Sequence, residues 1–183
     1  MKQRARLPLA MAAALVLGAC AGPAPRGTEW GGVQPAATAA KRATDSYWRR
    51  HLLAYHRAHT RLSYRLSGTG EDGTIDCSAY TRNIYRDVFG ITLPRKAAQQ
   101  AQVGRQLNKE DKSSWRPGDL LFFQSQTRGR DQYQDHIGVY VGDGEFIHAS
   151  VHKGVTKDRL TPYWLQRLKR VSRPLRLPPA VRR

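Results

Sequence analysis

The sequence predicts an α+β fold in which a helix beginning at Cys77 packs on an antiparallel β-sheet. Two local patterns lead to this prediction. Apolar residues recur at helical spacing after Cys77 and a glycine then ends the pattern: Tyr80, Ile84, Val88 and Gly90. Two β-rich segments, 136–141 and 145–149, flank Gly142-Asp143-Gly144, a combination typical of a β-hairpin.

Further elements follow from the same periodicities. An amphipathic helix is predicted from about Asp45 to His59, with Trp48, Leu52 and Tyr55 on its apolar face. Another helix begins at Leu93-Pro94 and runs to about Val103, since proline is favoured in a first turn. Three more strands are predicted at 120–124, 155–158 and 168–171, and Pro162-Tyr163-Trp164 is predicted to be a turn.

The composition narrows the class of protein. The chain has 183 residues, 40% of them hydrophobic, which fits one domain with an appendage. Its 2 cysteines cannot form a disulfide framework or a thiolate zinc cluster. No apolar run reaches the roughly 18–20 residues of a membrane-spanning helix. The net charge of +17 indicates a polyanionic neighbour, unless it only reflects an Arg-rich proteome. We expect no nucleic-acid partner, because no recognisable binding module accompanies the charge.

The first twenty residues are typical of an exported lipoprotein. Basic Lys2, Arg4 and Arg6 precede the apolar stretch 7–19, as in a secretory signal peptide. Leu17-Gly18-Ala19-Cys20 resembles a bacterial lipobox, in which Cys20 is lipidated and becomes the mature N-terminus. An ordinary signal peptide with a chance cysteine is the alternative. In lipoproteins of this kind, Ala rather than Asp after the cysteine favours the outer membrane.

These patterns divide the chain into five predicted parts. They are a signal peptide (1–19), a lipidated flexible tether (20–43), an N-terminal helix (44–60), a main domain (61–174) and a disordered basic tail (175–183). The tether is predicted because its residues are rich in Gly, Pro and Ala. Loss of the signal peptide removes three basic side chains and lowers the net charge from +17 to +14.

Cys77 is a candidate nucleophile. If Cys20 is lipidated, Cys77 lacks a disulfide partner in an oxidising compartment. Asp76 is a natural N-cap, so Cys77 occupies the first helical position, where the helix dipole is expected to lower its pKa. The alternative is a buried cysteine that acts as a small hydrophobe.

His136 and His148 are the candidate base and orienter for that nucleophile. Residues that lie opposite each other on paired strands share a face. A two-residue turn would put the two histidines on opposite faces, whereas a three-residue loop pairs Gly138 with His148 and puts them on one face. We therefore expect a three-residue loop with Gly144 in the left-handed region.

Several motifs, in this order along the chain, resemble the NlpC-type cell-wall endopeptidase family. The resemblance runs from about Leu62 to Pro174 and is closest to outer-membrane lipoproteins of the Spr (MepS) kind. The motifs are Tyr64-Arg65-Leu66, Asp76-Cys77-Ser78-Ala79, Leu93-Pro94-Arg95, Arg116-Pro117-Gly118-Asp119-Leu120, His136-Ile137-Gly138-Val139-Tyr140 and Phe146-Ile147-His148-Ala149-Ser150. Ser67 and Ala79 stand where many relatives have Gly, which puts the shape of the substrate cleft in doubt.

The resemblance implies a papain-like α+β fold and a Cys-His-His triad. In it Cys77 is the nucleophile, His136 the general base and acid, and His148 the residue that orients His136. Tyr64, Asp76 and Ser78 match family positions near the oxyanion hole or the stem peptide. Packing at the cleft edge would equally account for Tyr64, and N-capping for Asp76.

The implied activity is hydrolysis of peptide bonds in peptidoglycan crosslinks or stem peptides, through a thioester and without a metal or cofactor. The expected partners are peptidoglycan and a membrane contacted through the lipid anchor. We expect a monomer in the bacterial envelope, on the outer membrane facing the periplasm. Two alternatives stay open: an inactive peptidoglycan-binding lipoprotein that acts as a scaffold or regulator, and acyl or amide transfer on the same fold.

Overall fold

The computed structural model describes residues 35–124 and 136–174. The predicted signal peptide, Cys20 and the predicted tail 175–183 lie outside the described residues. The helices of the described part are α1 (Pro35–His59), α2 (Cys77–Phe89), α3 (Ala97–Gln100) and α4 (Pro162–Arg167), with a 3₁₀ turn at Lys112–Ser114. Its strands are β1 (Ser63–Tyr64), β2 (Thr74–Ile75), β3 (Arg105–Leu107), β4 (Leu120–Phe123), β5 (His136–Gly142), β6 (Glu145–Ser150), β7 (Gly154–Arg159) and β8 (Leu168–Arg173).

Six of these strands form one antiparallel sheet in the order β3-β8-β4-β5-β6-β7. The predicted α+β class is therefore confirmed, as are the five strands predicted from β4 to β8. A separate parallel pair joins β1 to β2, and each of its strands has two residues. Strands this short carry no readable alternation, which is why β1, β2 and β3 escape prediction.

Apolar side chains on the two faces of the sheet belong to two different cores. Strand β4 shows the alternation, since Leu120 and Phe122 pack in one core and Leu121 and Phe123 in the other. Helices α1 and α2 cover the first face and bury Trp48, Leu52, Tyr80 and Ile84 there. The predicted apolar faces of both helices are thus confirmed. The second core lies beneath α4 and contains Phe146.

The first helix is longer than predicted. It begins at Pro35, so the predicted tether 20–43 and the predicted start at residue 44 are wrong for residues 35–43. The cause is a run of alanines, the strongest helix formers, in a segment that we interpreted as flexible for its lack of aliphatic residues: Ala37, Ala39 and Ala40. None of the helices within 35–124 and 136–174 combines the length and apolarity needed to cross a membrane.

Two further predictions are corrected around the sheet. The helix predicted over 93–103 forms only at Ala97–Gln100. Pro94 and Arg95 lie before it, and the Arg95 side chain binds Asp76. The predicted turn at residues 162–164 is the start of α4, with Thr161 as its N-cap and Pro162 in the first turn.

Candidate active site

The start of α2 holds Cys77. Asp76 caps the helix with an extended backbone, and its Oδ1 accepts the Ala79 backbone N–H at 2.7 Å. Cys77 is the first helical residue, and Gly90 ends the helix in the left-handed region. The predicted N-cap, helix start and helix stop are all confirmed. The position leaves backbone N–H groups of the first turn close to the sulfur.

Burial, rather than the helix dipole, dominates the acidity of this thiol. Cys77 is 6% exposed. Its burial raises the pKa of the thiol to about 11, while the backbone N–H groups of Ile137, Ser78 and Cys77 itself act in the opposite direction. The expected lowering of the Cys77 pKa is therefore wrong. The free-energy cost of removing water from the thiolate exceeds the stabilisation that the first-turn dipoles provide.

A cavity of about 400 Å³ opens beside the sulfur. Four residues singled out from the sequence line it together: Tyr64, Asp76, Cys77 and Ser78. Its remaining walls come from Leu66, Ser67, Arg95, Lys96 and Ala97. Arg95 and Lys96 place two positive charges on the wall of the cavity.

Asp76 is held by more than its capping bond. Arg95 donates to both carboxylate oxygens, from Nη1 to Oδ1 at 3.0 Å and from Nη2 to Oδ2 at 2.7 Å. Burial alone would raise the pKa of Asp76, but bonds from Arg95, the Ala79 N–H and the Ser78 hydroxyl outweigh it and keep the pKa below its usual value. The carboxylate therefore stays ionised on the wall of the cavity.

Tyr64 lines the same cavity as this carboxylate. It is half-buried at the end of β1. Burial, with Cys77 and Asp76 nearby, raises the pKa of its hydroxyl to about 12. The phenol therefore keeps its proton at neutral pH and is a hydrogen-bond donor into the cavity.

The two histidines of the hairpin meet directly. Nε2 of His136 lies 2.7 Å from Nδ1 of His148, with the rings nearly perpendicular at 86°. His136 begins β5 and His148 lies in the middle of β6. The predicted placement of both rings on one face is confirmed.

The hairpin achieves this by a different device from the one predicted. Gly142 pairs with Glu145, which leaves a two-residue turn, and both of its residues have positive φ, 53° at Asp143 and 71° at Gly144. A register shift between Tyr140 and Gly142 makes Val141 an extra residue on β5. The bulge restores the register that the turn alone would have lost. The predicted three-residue loop is wrong, whereas the left-handed Gly144 is confirmed.

Burial keeps both imidazoles neutral. It lowers the pKa of His136 to about 3, with a smaller lowering from His148 and an opposing effect of Asp158. Burial also lowers the pKa of His148, against the hydrogen bond and charge of Asp158. Each neutral imidazole therefore keeps one ring nitrogen with a lone pair that can accept a proton.

Two residues beside the histidines were not anticipated from the sequence. Asp158 on β7 places Oδ2 3.2 Å from Nε2 of His148. Trp164 on α4 lies against His136 with ring centroids 5.8 Å apart and planes 26° apart. The sequence held one indication that Asp158 lies near His148. In the predicted strand 155–158 the side chains alternate between the two faces, so some of them must share the face of His148.

The first residues of β5 connect the histidines to the cysteine. Ile137 packs in the same core as Cys77, and its backbone N–H faces the sulfur. His136 is the adjacent residue, and its ring contacts Phe123 and Trp164. The start of β5 therefore lies beside the thiol, whereas the imidazole pair packs with Phe123, Phe146 and Trp164 on the face of the second core.

The remaining histidines are not part of this group. His51 and His152 are exposed, and His59 is partly exposed. His56 is buried, with Nδ1 3.3 Å from the Tyr80 hydroxyl. Across residues 35–124 and 136–174, His, Cys, Asp and Glu form no group of three or more arranged to hold a metal ion.

Comparison with known protein families decides the family. The model of the NlpC/P60 family matches residues 61–173, more than half of the chain. The chain belongs to the NlpC/P60 family. The family predicted from the motifs is thus confirmed.

Individual members of the NlpC/P60 family are similar to this domain. A "Probable endopeptidase NlpC homolog" of Haemophilus influenzae is 43% identical over 102 residues, which are 55% of this chain and 49% of that protein. The "Murein DD-endopeptidase MepS/Murein LD-carboxypeptidase" of Escherichia coli K12 is 36% identical over 115 residues, 62% of this chain and 56% of that protein. The chain thus spans about half the length of these curated relatives.

Solved NlpC/P60 structures have the same fold. A crystal structure of a family protein from Bacillus cereus has a TM-score of 0.58 and 30% identity, over 71% of this chain and 40% of that chain. The NlpC/p60 domain of the peptidoglycan hydrolase SagA has a TM-score of 0.54 and 22% identity, over 68% of this chain and 97% of that chain. The predicted NlpC-type α+β fold is confirmed.

Proposed function

We propose that the protein is a peptidoglycan endopeptidase that uses Cys77 as its nucleophile and His136 and His148 as its base and orienter. The observation that carries the proposal is the position of β5: the backbone N–H of Ile137 faces the sulfur of Cys77 beside the cavity, and the preceding residue, His136, is hydrogen-bonded to His148. The murein endopeptidases among the relatives support the substrate class.

The stem peptide binds in the cavity with its scissile carbonyl against Cys77. The sulfur attacks the carbonyl carbon, and the thiol proton passes to Nδ1 of His136, because Nε2 is engaged by His148. A C–S bond forms and the carbonyl oxygen becomes an oxyanion. Its donors are the Cys77 backbone N–H and the Tyr64 hydroxyl, which belong to two residues that line the cavity.

Collapse of this intermediate breaks the C–N bond. His136 gives its proton to the leaving amine, and a thioester stays on Cys77. A water molecule then attacks the thioester while His136 takes its proton. The C–S bond breaks, the proton returns to the sulfur, and the carboxylic acid product leaves.

The buried surroundings set the timing of the first proton transfer. With a thiol pKa of about 11 and an imidazole pKa of about 3, both groups are neutral at pH 7 before substrate binds. The proton therefore moves to His136 during the attack rather than in a preformed ion pair. His148 steadies the imidazolium as it forms.

The protein acts in the bacterial envelope, as a monomer anchored by lipid on Cys20 to the periplasmic side of the outer membrane. The lipobox Leu17-Gly18-Ala19-Cys20 behind an apolar h-region supports this localisation. The test is incorporation of labelled palmitate and separation of the membranes. Cys20→Ala should abolish both the label and the outer-membrane location, and an unlabelled wild-type protein would contradict the anchor.

The activity is tested with purified protein and crosslinked muropeptides, with products identified by mass spectrometry. We expect cleavage by the wild type and by His152→Ala, a matched control for an exposed histidine, and none by Cys77→Ala or His136→Ala. Cleavage by Cys77→Ala would contradict the nucleophile. Binding to sacculi without cleavage would favour a scaffold, and a new amide or ester product would favour transfer.

A further inference from the structure

Asp158 stands behind the histidine pair on the neighbouring strand. The register of β6 and β7 pairs Phe146 with Asp158 and His148 with Thr156, so Asp158 lies on the same face as His148. Its Oδ2 is 3.2 Å from Nε2 of His148, and its Oδ1 accepts from Nζ of Lys153 at 3.0 Å. Its side chain is 19% exposed, against 1% for His148. The carboxylate is thus fixed at both oxygens.

This carboxylate dictates where the imidazole protons lie. An ionised carboxylate only accepts hydrogen bonds, so Nε2 of His148 must carry the proton between them. A neutral imidazole has one N–H, and therefore Nδ1 of His148 is an acceptor. The 2.7 Å contact then requires the proton on Nε2 of His136, which leaves its Nδ1 with a lone pair.

We propose that Asp158 is a positioning residue that selects the tautomers of both histidines and so directs the basic nitrogen of His136 toward the reaction. The inference rests on the proposed function, because it gives that same Cys-His-His unit a fourth member. Asp158 does not touch the substrate and acts only through His148. A carboxylate that merely anchors β7 would leave the tautomers unconstrained.

The surroundings of Asp158 support this role. Lys153, in the turn before β7, donates to the oxygen that does not face His148, which favours this orientation of the carboxylate. Phe146 stacks on His148 at 4.7 Å, and Trp164 stacks on His136 and meets His148 edge-on, which limits the access of water as a competing partner. His56 on α1 is near enough to this region that, besides burial, the charges of Lys157 and His148 lower its pKa.

The wild-type protein provides the first test. Long-range ¹H–¹⁵N NMR spectra of ¹⁵N-histidine-labelled protein at pH 7 distinguish the two imidazole tautomers. We expect both His136 and His148 to be protonated at Nε2. Protonation of His148 at Nδ1 would overturn the proposal. This measurement needs neither a variant nor a substrate.

The second test compares Asp158→Asn with Glu145→Gln. In Asp158→Asn, Lys153 retains the amide oxygen, so the NH₂ group faces His148 and donates to Nε2. The proton chain then reverses and places a proton on Nδ1 of His136. Glu145 is the matched control, because it is a carboxylate on β6, the strand of His148. It binds Arg49 of α1 and Lys157 of β7 and does not contact the histidines.

We expect Asp158→Asn to lower kcat by about 100-fold or more, as a misplaced imidazole proton does in comparable units. Its KM stays within about twofold of the wild-type value. Glu145→Gln keeps the wild-type kcat and tautomers. An Asp158→Asn protein with unchanged kcat and tautomers would overturn the proposal. A wild type that cleaves no muropeptide would refute the proposed function, whereas the NMR result would still decide the role of Asp158.

Discussion

The Nε2 atom of His136 lies 2.7 Å from the Nδ1 atom of His148, across a hairpin whose two-residue turn would by itself put the rings on opposite faces. The extra residue Val141 on β5 corrects the register. The contact between the histidines therefore depends on how β5 and β6 pair near the bulge, and substitutions that disturb this backbone pairing should act on both stability and chemistry.

Gly138→Ala tests this dependence. A Cβ at Gly138 would lie 2.6 Å from Cδ2 of Phe146, whose ring stacks on His148. We expect the free energy of unfolding to fall by about 1–3 kcal/mol, as in other overpacked cores, and the His136–His148 NMR signals to shift. Gly73→Ala is the control, because its Cβ meets no neighbour and its cost comes from a φ of 78°. Unchanged histidine signals in Gly138→Ala would contradict the coupling.

Arg95→Gln tests the carboxylate on the cavity wall. The substitution removes the donors that hold both oxygens of Asp76. We expect a loss of about 1–3 kcal/mol in urea unfolding at pH 7, discounted for the partial exposure of Arg95. Because the pKa of Asp76 is held below its usual value, the stabilisation is present above that value and is lost as the pH falls. The difference from wild type should therefore shrink toward pH 3. Arg86→Gln, which breaks the exposed pair with Asp87, should leave stability unchanged at both pH values.

Acid should destabilise the protein from about pH 6.5 downward. Burial lowers the pKa of His136, His148 and His56, so the unfolded chain binds protons that the folded chain does not. The free energy of unfolding should then fall by an amount on the order of a few kcal/mol between pH 7 and pH 4.5. His136→Gln should flatten this slope and His152→Gln should not. A wild-type stability that is constant over this range would contradict the buried neutral histidines.

Trp164→Ala should expose the histidine pair to water. Its ring lies against His136, and burial is the largest cause of the low His136 pKa. We expect that pKa to rise in an NMR titration and kcat to fall by about 10-fold, since the base loses its fixed position. Trp164→Phe keeps an aromatic ring against His136, so its His136 pKa and its kcat should lie between those of the wild type and Trp164→Ala. The control is Tyr163→Ala, an exposed neighbour on α4, which should leave the His136 pKa unchanged.

The sequence predicts those parts of the site that local signals determine. An N-cap followed by a helical repeat locates Cys77 at the start of α2, and strand alternation puts His136 and His148 on one face. The exact turn was not predictable, because a bulge and a longer loop give the same parity. Asp158 and Trp164 come from later elements, whose position over the histidines depends on tertiary pairing.

The acidity of Cys77 shows the same limit in energetic terms. The helix dipole can be inferred from the neighbouring residues, whereas burial by Tyr64, Ile137 and the rest of the core cannot. Burial is the larger effect here and reverses the expected direction of the pKa shift. Helix position alone therefore predicts where the thiol lies but not its protonation state.

Stepwise alkylation of Cys77 by iodoacetamide, followed by peptide mass mapping alongside muropeptide cleavage, tests the nucleophile most directly. Because burial raises the thiol pKa to about 11, alkylation should be slow at pH 7 and should become faster as the pH is raised toward the pKa. Cleavage should fall in proportion to the alkylated fraction of Cys77 and reach zero at full modification, and crosslinked muropeptide should slow the alkylation. Undiminished cleavage by protein that is fully alkylated at Cys77 would contradict the account.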